Sequence, residues 1–386
     1  MNRLILSCVS AIALAACQQP AAPPSDTSAS VPAAETQVET PAPHAELSSV
    51  KTEFTDGVYV INWEFADQST PVTIEMVTDA SATSGEVIAS DLAETSFTWS
   101  PDGEIDERHY FLVKPENGEA ELTATRLLPL EGGRNFRTLG GYETEDGQTV
   151  VWDKLYRSGT MVGLTETDYD YLSSLGIKVM CDFRTEEERT SEPTNSEAIG
   201  ADEYLYWADP SEDMSFMAAL MNPESTPQDI RDAFGGAYFG IAHQQAPAYE
   251  TMFDKLSAGE APLAFNCSAG KDRPGIAAAL LLTVLGVPRE TIVHDYQLSD
   301  DYVDYMAEFM NEEAKAKMLE ENPSYAFFLQ MPPEKVEPIM ATYPEYIERF
   351  FADIEAEYGS VDAFLKEVIN VTDDEMAAIR RQYLKS

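Results

Sequence analysis

The chain has 386 residues, of which 44% are hydrophobic, 68 are acidic and 25 are basic, giving a formal net charge of −43. This length and composition indicate a globular protein with two domains plus tails, and exclude a wholly disordered chain. The charge argues against nucleic acid or an anionic membrane surface as a general partner, because both would be repelled. An anionic substrate must therefore be bound by positive groups that are gathered locally.

The N-terminus has the pattern of an export signal. Residues 1–16 contain Arg3 and then an apolar run that is too short to span a bilayer. The run ends in LAAC, which resembles the lipobox of bacterial lipoproteins. The resemblance implies a signal peptide over residues 1–16 and lipidation of Cys17. Because Gln18 follows, it also implies an outer-membrane protein that faces the periplasm, attached to the membrane through the lipid anchor only. A simple secretory signal, giving a secreted protein, is the alternative.

Two segments precede any recognisable chemistry. Residues 17–48 are rich in Pro, Ala, Ser and Thr and predict a disordered tether. Residues 49–128 alternate short apolar and polar stretches between DG, SG and NG turns, which predicts a small all-β sandwich domain that resembles fibronectin type III or immunoglobulin-like modules. Trp63 is expected in its core. The expected strands are VYVINWEF, PVTIEMV, TSFTWS, RHYFLVKP and AELTATRLL.

The pattern changes over residues 129–386, where strand-like and helix-like segments alternate. This order predicts an α/β domain with a mostly parallel sheet flanked by helices. Residues 288–386 are expected to be helical, with Thr372 at the start of one helix. The expected strands are TVVWDKLYRSG, IKVMCDF and PLAFNC, and the expected helices are TETDYDYLSSLG, TEEER, APAYETMFDKLSAG and PGIAAALLLTVLG.

The loop NCSAGKDR, between the last of these strands and its helix, carries the chemistry. Ligands of open parallel sheets bind beyond the carboxyl ends of strands, where a helix N-terminus favours anions. The backbone N–H groups of this loop can surround one anion, with Gly270 supplying unusual backbone angles. Cys267 is expected there as a reactive thiolate, and Arg273 as a fork for two phosphate oxygens. A buried, inert cysteine at an ordinary turn is the alternative.

The sequence NCSAGKDRPG resembles the signature loop of the cysteine-dependent bacterial tyrosine phosphatase family, in the group that includes atypical lipid phosphatases. The segments RNFRTLGGY, LYRSGTMVGLTETDYDYLSSLGIKVMCDFRTEEER, VHDYQLSDDY and EYIERFFADIEAEYGSVDAFLKEV follow the order and spacing of that group. The resemblance covers about residues 128–386. It implies hydrolysis of phosphomonoesters without metal or cofactor. It also implies a phosphorylated protein as substrate, preferably at tyrosine, with dual specificity or a phosphoinositide substrate left open.

The resemblance assigns a role to each loop residue. It implies that Cys267 is the nucleophile that forms a phosphocysteine, and that Arg273 binds phosphate and stabilises the transition state. Lys271 adds a second positive charge, which in related loops accompanies acceptance of phosphoinositides. The resemblance also implies that the loop residues before Arg273 bind phosphate, namely Ser268, Ala269, Gly270 and Lys271.

A general acid must protonate the leaving oxygen, and three aspartates are candidates. Asp272 lies inside the loop. Asp182 is slightly favoured, because it is expected at the end of a neighbouring strand. Asp209 is a weaker candidate.

Two further residues have alternative interpretations. Arg184 either binds phosphate as a second cation or pairs with a nearby acid such as Glu187 or Glu188. Cys181 either is an inert buried thiol or forms a reversible disulfide with Cys267 in an oxidising periplasm.

Three positions depart from the family pattern. Asn266 replaces a usual His, Thr138 replaces an expected Asp, and Pro274 replaces the Thr or Ser that hydrogen-bonds the cysteine sulfur. The loss at Pro274 predicts slow breakdown of the phosphoenzyme and a burst of product. A phosphate-binding protein with weakened catalysis is therefore the alternative function, and a rhodanese-type sulfur transferase fits the loop poorly.

Overall fold

The computed structural model describes residues 44–208, 215–312, 315–316, 319 and 329–385. The signal peptide, Cys17, most of the tether and Asp209 lie outside these residues. Within the described ranges, no helix has the length and apolar character needed to cross a bilayer.

The N-terminal region consists of antiparallel strands in two sheets, with the orders β1-β2-β5 and β4-β3-β6-β7. Alternate residues of β2 face inward, so Trp63 is only 1% exposed and packs with Ile74 and Phe111 of the other sheet. The predicted all-β region is therefore confirmed. The strands are β1 (Leu47–Thr55), β2 (Val58–Phe65), β3 (Val72–Val77), β4 (Glu86–Leu92), β5 (Ser96–Trp99), β6 (Tyr110–Pro115) and β7 (Glu121–Thr123).

Two of these strands were not predicted from the sequence. Strand β1 begins at Leu47, inside the segment expected to be a tether. Strand β4 lies at the edge of its sheet and is largely exposed, so its sequence EVIASDL lacks a clear apolar alternation.

The C-terminal region is built around a five-stranded sheet with the order β12-β11-β13-β10-β8. Its strands run parallel except β8, which is antiparallel to β10, so the predicted mostly parallel sheet is confirmed. A separate antiparallel pair joins β9 to β14. The strands are β8 (Arg137–Thr138), β9 (Thr149–Val150), β10 (Leu155–Ser158), β11 (Val179–Asp182), β12 (Glu203–Tyr206), β13 (Leu263–Asn266) and β14 (Leu384–Lys385).

The segment TVVWDKLYRSG, expected to be one strand, forms the two strands β9 and β10. The break between them includes Asp153, whose backbone has a φ of +53°. Its carboxylate accepts a hydrogen bond from Arg108 Nε at 3.0 Å. This contact links the break to the residues just before β6.

Helices cover both faces of the sheet. One core includes Cys181 and Phe265 with side chains of α5, α6, α7 and α11, and the other includes Met180 and Ala264 with side chains of α1 and α3. The helices are α1 (Glu166–Ser174), α2 (Glu186–Ser191), α3 (Ser196–Ile199), α4 (Ser215–Met221), α5 (Pro227–Gln244), α6 (Ala246–Ser257), α7 (Arg273–Leu285), α8 (Arg289–Tyr302), α9 (Tyr305–Met310), α10 (Pro333–Met340), α11 (Pro344–Tyr358), α12 (Val361–Glu367) and α13 (Asp373–Tyr383).

The four helices expected before residue 288 are present as α1, α2, α6 and α7, and Thr372 caps the N-terminus of α13 as expected. The 18-residue helix α5 was not predicted. The expectation of an entirely helical C-terminus is wrong at its end, where Leu384 and Lys385 pair with β9. The loop that follows β13 leads directly into α7 at the carboxyl edge of the parallel strands, where the sequence predicts the ligand site.

Candidate active site

The loop between β13 and α7 is closed tightly around Cys267, which is only 1% exposed. Gly270 has a φ of +81°, in the left-handed region that glycine adopts readily. A Cβ at Gly270 would lie 2.5 Å from the backbone nitrogen of Gly159, so a side chain has no room there. The expected special role of Gly270 in shaping the loop is therefore explained by both its backbone angle and its close packing.

The carbonyl groups of the loop point outward, each toward a donor. Arg157 Nη2 donates to the carbonyls of Gly270 at 2.9 Å and Lys271 at 3.1 Å. The carbonyl of Ala269 accepts from the Tyr305 hydroxyl at 2.9 Å. Because the N–H of each trans peptide points opposite to its C=O, the following N–H groups point toward the inside of the loop.

One of the inward-facing N–H groups reaches the cysteine sulfur. The Gly270 N–H donates to Cys267 Sγ at 3.2 Å. Burial raises the pKa of the Cys267 thiol above its ordinary value, while the charge of Arg273 and the Gly270 N–H act in the opposite direction. These surroundings favour the neutral thiol, so the thiolate expected from the sequence stays a prediction.

Arg273 is anchored by Glu188 of α2. Its Nη1 donates to Glu188 Oε2 at 2.7 Å and to the carbonyl of Phe183 at 3.0 Å, and its Nη2 donates to Glu188 Oε1 at 2.6 Å. A guanidinium has five N–H donors in a rigid fork. These three bonds leave Nε–H and one Nη2–H, which lie on the same edge and match two oxygens of a phosphate.

Glu188 also connects α2 to the loop. It is the third residue of α2 and forms a capping box with Thr185. Its Oε1 accepts from the Ser268 hydroxyl at 2.7 Å. Burial opposes ionisation of this carboxyl, but its bonds with Arg273 outweigh that effect and lower the pKa of Glu188 to about 2. The sequence suggests Glu188 only as a partner of Arg184, and the capping pattern TEEER gives no sign that Glu188 holds Arg273.

Asp182 lies next to the loop, as the sequence predicts, because it is paired in register with Asn266. Its carboxylate is fully buried and bound by Arg184, with Nε to Oδ1 at 2.9 Å and Nη2 to Oδ2 at 2.7 Å. Oδ2 also accepts from the Tyr204 hydroxyl at 2.5 Å. Both oxygens of Asp182 are therefore occupied within the protein.

Arg184 is correspondingly turned inward. Besides Asp182, it binds the carbonyl of Glu192 at 2.7 Å and the hydroxyl of Thr194 at 2.8 Å, and its side chain is 0% exposed. The geometry favours the pairing alternative for Arg184, with Asp182 as the acid, whereas Glu188 pairs with Arg273.

Asp272 differs from Asp182 in keeping contact with solvent, its side chain being 22% exposed. Its Oδ1 accepts from Lys271 Nζ at 2.8 Å and from the hydroxyl of Tyr238 on α5. Lys271 itself is 2% exposed, and its Nζ lies 5.1 Å from the ring centre of Phe234. The second positive charge of the loop is thus turned into the protein.

The positions that depart from the family pattern are all buried. Thr138 Oγ1 accepts from the Gly140 N–H at 3.0 Å, and Pro274 lies in the first turn of α7. Asn266 is 0% exposed, and neither polar atom of its carboxamide has a hydrogen-bond partner among the described residues. No structural reason for the carboxamide at this position is evident.

The two cysteines of the folded region are both free thiols. The side chain of Cys181 belongs to the apolar core, where burial raises its pKa far above the ordinary range. These surroundings favour the interpretation of Cys181 as an inert buried thiol over a disulfide with Cys267.

A buried charge cluster behind the loop was not found from the sequence. Asp295 of α8 accepts from Arg157 Nη1 at 2.8 Å, lies 3.4 Å from Arg137 Nε, and accepts from the Tyr142 hydroxyl at 2.9 Å. Burial opposes its charge, but the two arginines outweigh this and lower the pKa of Asp295 to about 2. In the sequence, the one signal for Asp295 is that it lies within VHDYQLSDDY, a segment that follows the family pattern.

The amino-acid sequence of the chain is similar to those of known proteins. A family model described as the tyrosine phosphatase family matches residues 128–385. A Cupriavidus necator protein described as a tyrosine-protein phosphatase is 31% identical over 256 residues, covering 65% of this chain and 85% of that protein. A tyrosine-protein phosphatase of Nostoc commune is 31% identical over 154 residues, covering 39% of this chain and 50% of that protein. The triple specificity protein phosphatase of Mycobacterium tuberculosis is 27% identical over 275 residues, covering 63% of this chain and 94% of that protein.

Proposed function

The chain belongs to the tyrosine phosphatase family and is a phosphoric monoester hydrolase, and we propose that it removes phosphate from protein tyrosine through a phosphocysteine on Cys267. The observation that carries this proposal is the edge of Arg273 formed by Nε–H and one Nη2–H, which make no hydrogen bond to the residues that the structure describes. Two N–H groups remain on that edge after the bonds to Glu188 and Phe183. Together with the inward N–H groups of the loop, they form a cradle for one phosphate beside Cys267 Sγ.

In the first step, Cys267 Sγ as the thiolate attacks phosphorus, and the bond between phosphorus and the tyrosine oxygen breaks. The leaving oxygen takes a proton from an aspartic acid, so that neutral tyrosine departs. In the second step, water attacks phosphorus, gives its proton to the same aspartate and breaks the bond between sulfur and phosphorus. Arg273 and the backbone N–H groups hold the phosphoryl oxygens throughout.

Asp272 is the proposed general acid, in preference to Asp182. Both oxygens of Asp182 are bound by Arg184 or Tyr204 and its side chain is fully buried. The side chain of Asp272 is partly exposed, and it belongs to the loop that binds the phosphate. A proton donor must reach the leaving oxygen, and only Asp272 of these two has that access.

Protein phosphotyrosine is the proposed substrate because of the depth of Cys267 and the position of Lys271. A sulfur that is almost wholly buried is reached more easily by a phosphate on a long, flat phenol than by one on a short serine side chain. A phosphoinositide would need a cation for its additional phosphates. Lys271 instead binds Asp272 and lies over the ring of Phe234.

The test is hydrolysis of para-nitrophenyl phosphate without added metal by the lipid-free protein and by its Cys267→Ser variant. Activity that requires Cys267 supports the proposal. A panel of phosphotyrosine peptide, phosphoserine peptide and phosphatidylinositol phosphate then ranks the substrates, with phosphotyrosine expected first.

The second candidate, a phosphate-binding protein with weakened catalysis, is favoured by the raised pKa of Cys267. It would be supported if both proteins are inactive while phosphate still binds.

We also propose that the enzyme is anchored in the bacterial envelope through lipid on Cys17, on the basis of the LAAC sequence. Expression with a labelled fatty acid tests this proposal. Label in the wild-type protein but not in the Cys17→Ser variant is expected, and equal or absent label in both would contradict it.

A further inference from the structure

Asp272 is held from the protein side by a buried tyrosine of another helix. Tyr238 of α5 is 0% exposed, and its hydroxyl donates to Asp272 Oδ1. Lys271 Nζ donates to the same oxygen at 2.8 Å. Within the described part of the chain, both hydrogen bonds to this carboxylate therefore converge on Oδ1 and none reaches Oδ2, while the side chain as a whole is 22% exposed.

A second buried tyrosine continues this chain of hydrogen bonds. The oxygens of Tyr238 and Tyr296 lie 2.5 Å apart. Burial raises the pKa of both phenols well above the ordinary value, so each carries its one proton. Because Tyr238 gives its proton to Asp272, Tyr296 must donate to Tyr238, and the chain of bonds runs in one direction toward Oδ1.

We propose that Tyr238 is a positioning residue for the general acid Asp272: together with Lys271 it occupies Oδ1, so that the catalytic proton is carried by Oδ2. A proton on Oδ1 would face an O–H donor and an ammonium group, which repel it. The proton on Oδ2 is the one that passes to the leaving oxygen when the phosphorus–oxygen bond breaks. The resulting carboxylate then accepts from both donors. This inference rests on the proposed function, in which Asp272 is the acid.

The experiment compares kcat/KM for phenyl phosphate and para-nitrophenyl phosphate. The two esters share the same phosphate, so their ratio cancels any change in phosphate binding. Phenolate is a poor leaving group that needs the proton, whereas nitrophenolate departs with little help. In Tyr238→Phe, we expect kcat/KM for phenyl phosphate to fall by at least about tenfold and that for the nitrophenyl ester by less than about threefold.

Tyr383→Phe is the matched control. Tyr383 is also a buried tyrosine, but its hydroxyl donates at 3.0 Å to the carbonyl of Leu256, away from the loop. The control should keep the wild-type ratio of the two esters. If kcat/KM in Tyr238→Phe falls by the same factor for both esters, or does not fall for either, the ratio is unchanged and the role of Tyr238 is overturned.

Two further variants separate the possible failures. Asp272→Asn should change the ratio more than Tyr238→Phe does. If Asp272→Asn lowers kcat/KM equally for both esters, the proposed acid is wrong. If Asp272→Asn changes the ratio of the two kcat/KM values and Tyr238→Phe does not, only the positioning role is overturned. Lys271→Met removes the other donor to Oδ1 and should shift the ratio in the same direction. If Tyr238→Phe does not fold, Lys271→Met tests whether donors on Oδ1 leave the proton on Oδ2. An unchanged ratio in Lys271→Met would overturn the inference.

Discussion

Replacing Glu188 by glutamine should weaken both the stability of the protein and its hold on phosphate. Glu188 binds Arg273 through both carboxylate oxygens and also accepts from Ser268. Glutamine keeps the shape and one acceptor oxygen, but it removes the negative charge and turns the second oxygen into a donor. That donor faces the Arg273 guanidinium, so the fork loses the contact that fixes its orientation.

The magnitude follows from the lowered pKa of Glu188. A shift from the ordinary 4.5 to about 2 corresponds to roughly 3 kcal/mol in favour of the charged form. The side chain is 27% exposed, so screening by solvent reduces this to about 2 kcal/mol. We expect the free energy of unfolding at neutral pH to fall by about that amount. Misplacement of the Arg273 fork should lower kcat/KM for para-nitrophenyl phosphate by roughly 10- to 100-fold.

The assays are urea unfolding, kcat/KM and competitive inhibition by inorganic phosphate. Glu375→Gln is the matched control, because Glu375 is the third residue of α13 and forms the same capping box with Thr372 without contacting the loop. It removes a capping charge but leaves Arg273 in place. If the two variants lose equal stability, or if Glu188→Gln binds phosphate as tightly as the wild type or tighter, the assigned role of Glu188 is refuted.

Three other outcomes are expected. Asp295 has its pKa lowered to about 2 by Arg137 and Arg157, although burial opposes this. The stabilising effect of its charge is therefore complete above about pH 4 and is lost as the pH falls through 2. In acid titration, the free energy of unfolding of Asp295→Asn should fall less steeply over that interval than that of the wild type. At neutral pH, the variant should be less stable by about 3 kcal/mol. Rapid-mixing kinetics should show a product burst that Pro274→Thr abolishes; a wild-type reaction without a burst would contradict slow phosphoenzyme breakdown. A thiol assay of residues 44–386, unreduced and then unfolded, should find two thiols, and a count of zero would indicate a disulfide between Cys181 and Cys267.

The sequence by itself determined the elements whose signals are local. The apolar run LAFN, the glycine at position 270 and the small, apolar α7 sequence specify a strand, a tight loop and a buried helix through short-range backbone and burial preferences. The alternation in β2 likewise determined that Trp63 faces a core. Cys267 and Arg273 occupy the two ends of one short loop, so their proximity needed no tertiary information.

The tertiary structure alone decided which partner each charged side chain takes. Glu188 meets Arg273 across 85 residues of sequence, and Tyr238 meets Asp272 across 34. Asp182 was a reasonable acid by position, yet its register beside the loop also buries it against Arg184. Hydrogen bonds between distant side chains depend on how helices pack on the sheet. That packing is set by the whole core, so the short sequence around each residue does not encode its partner.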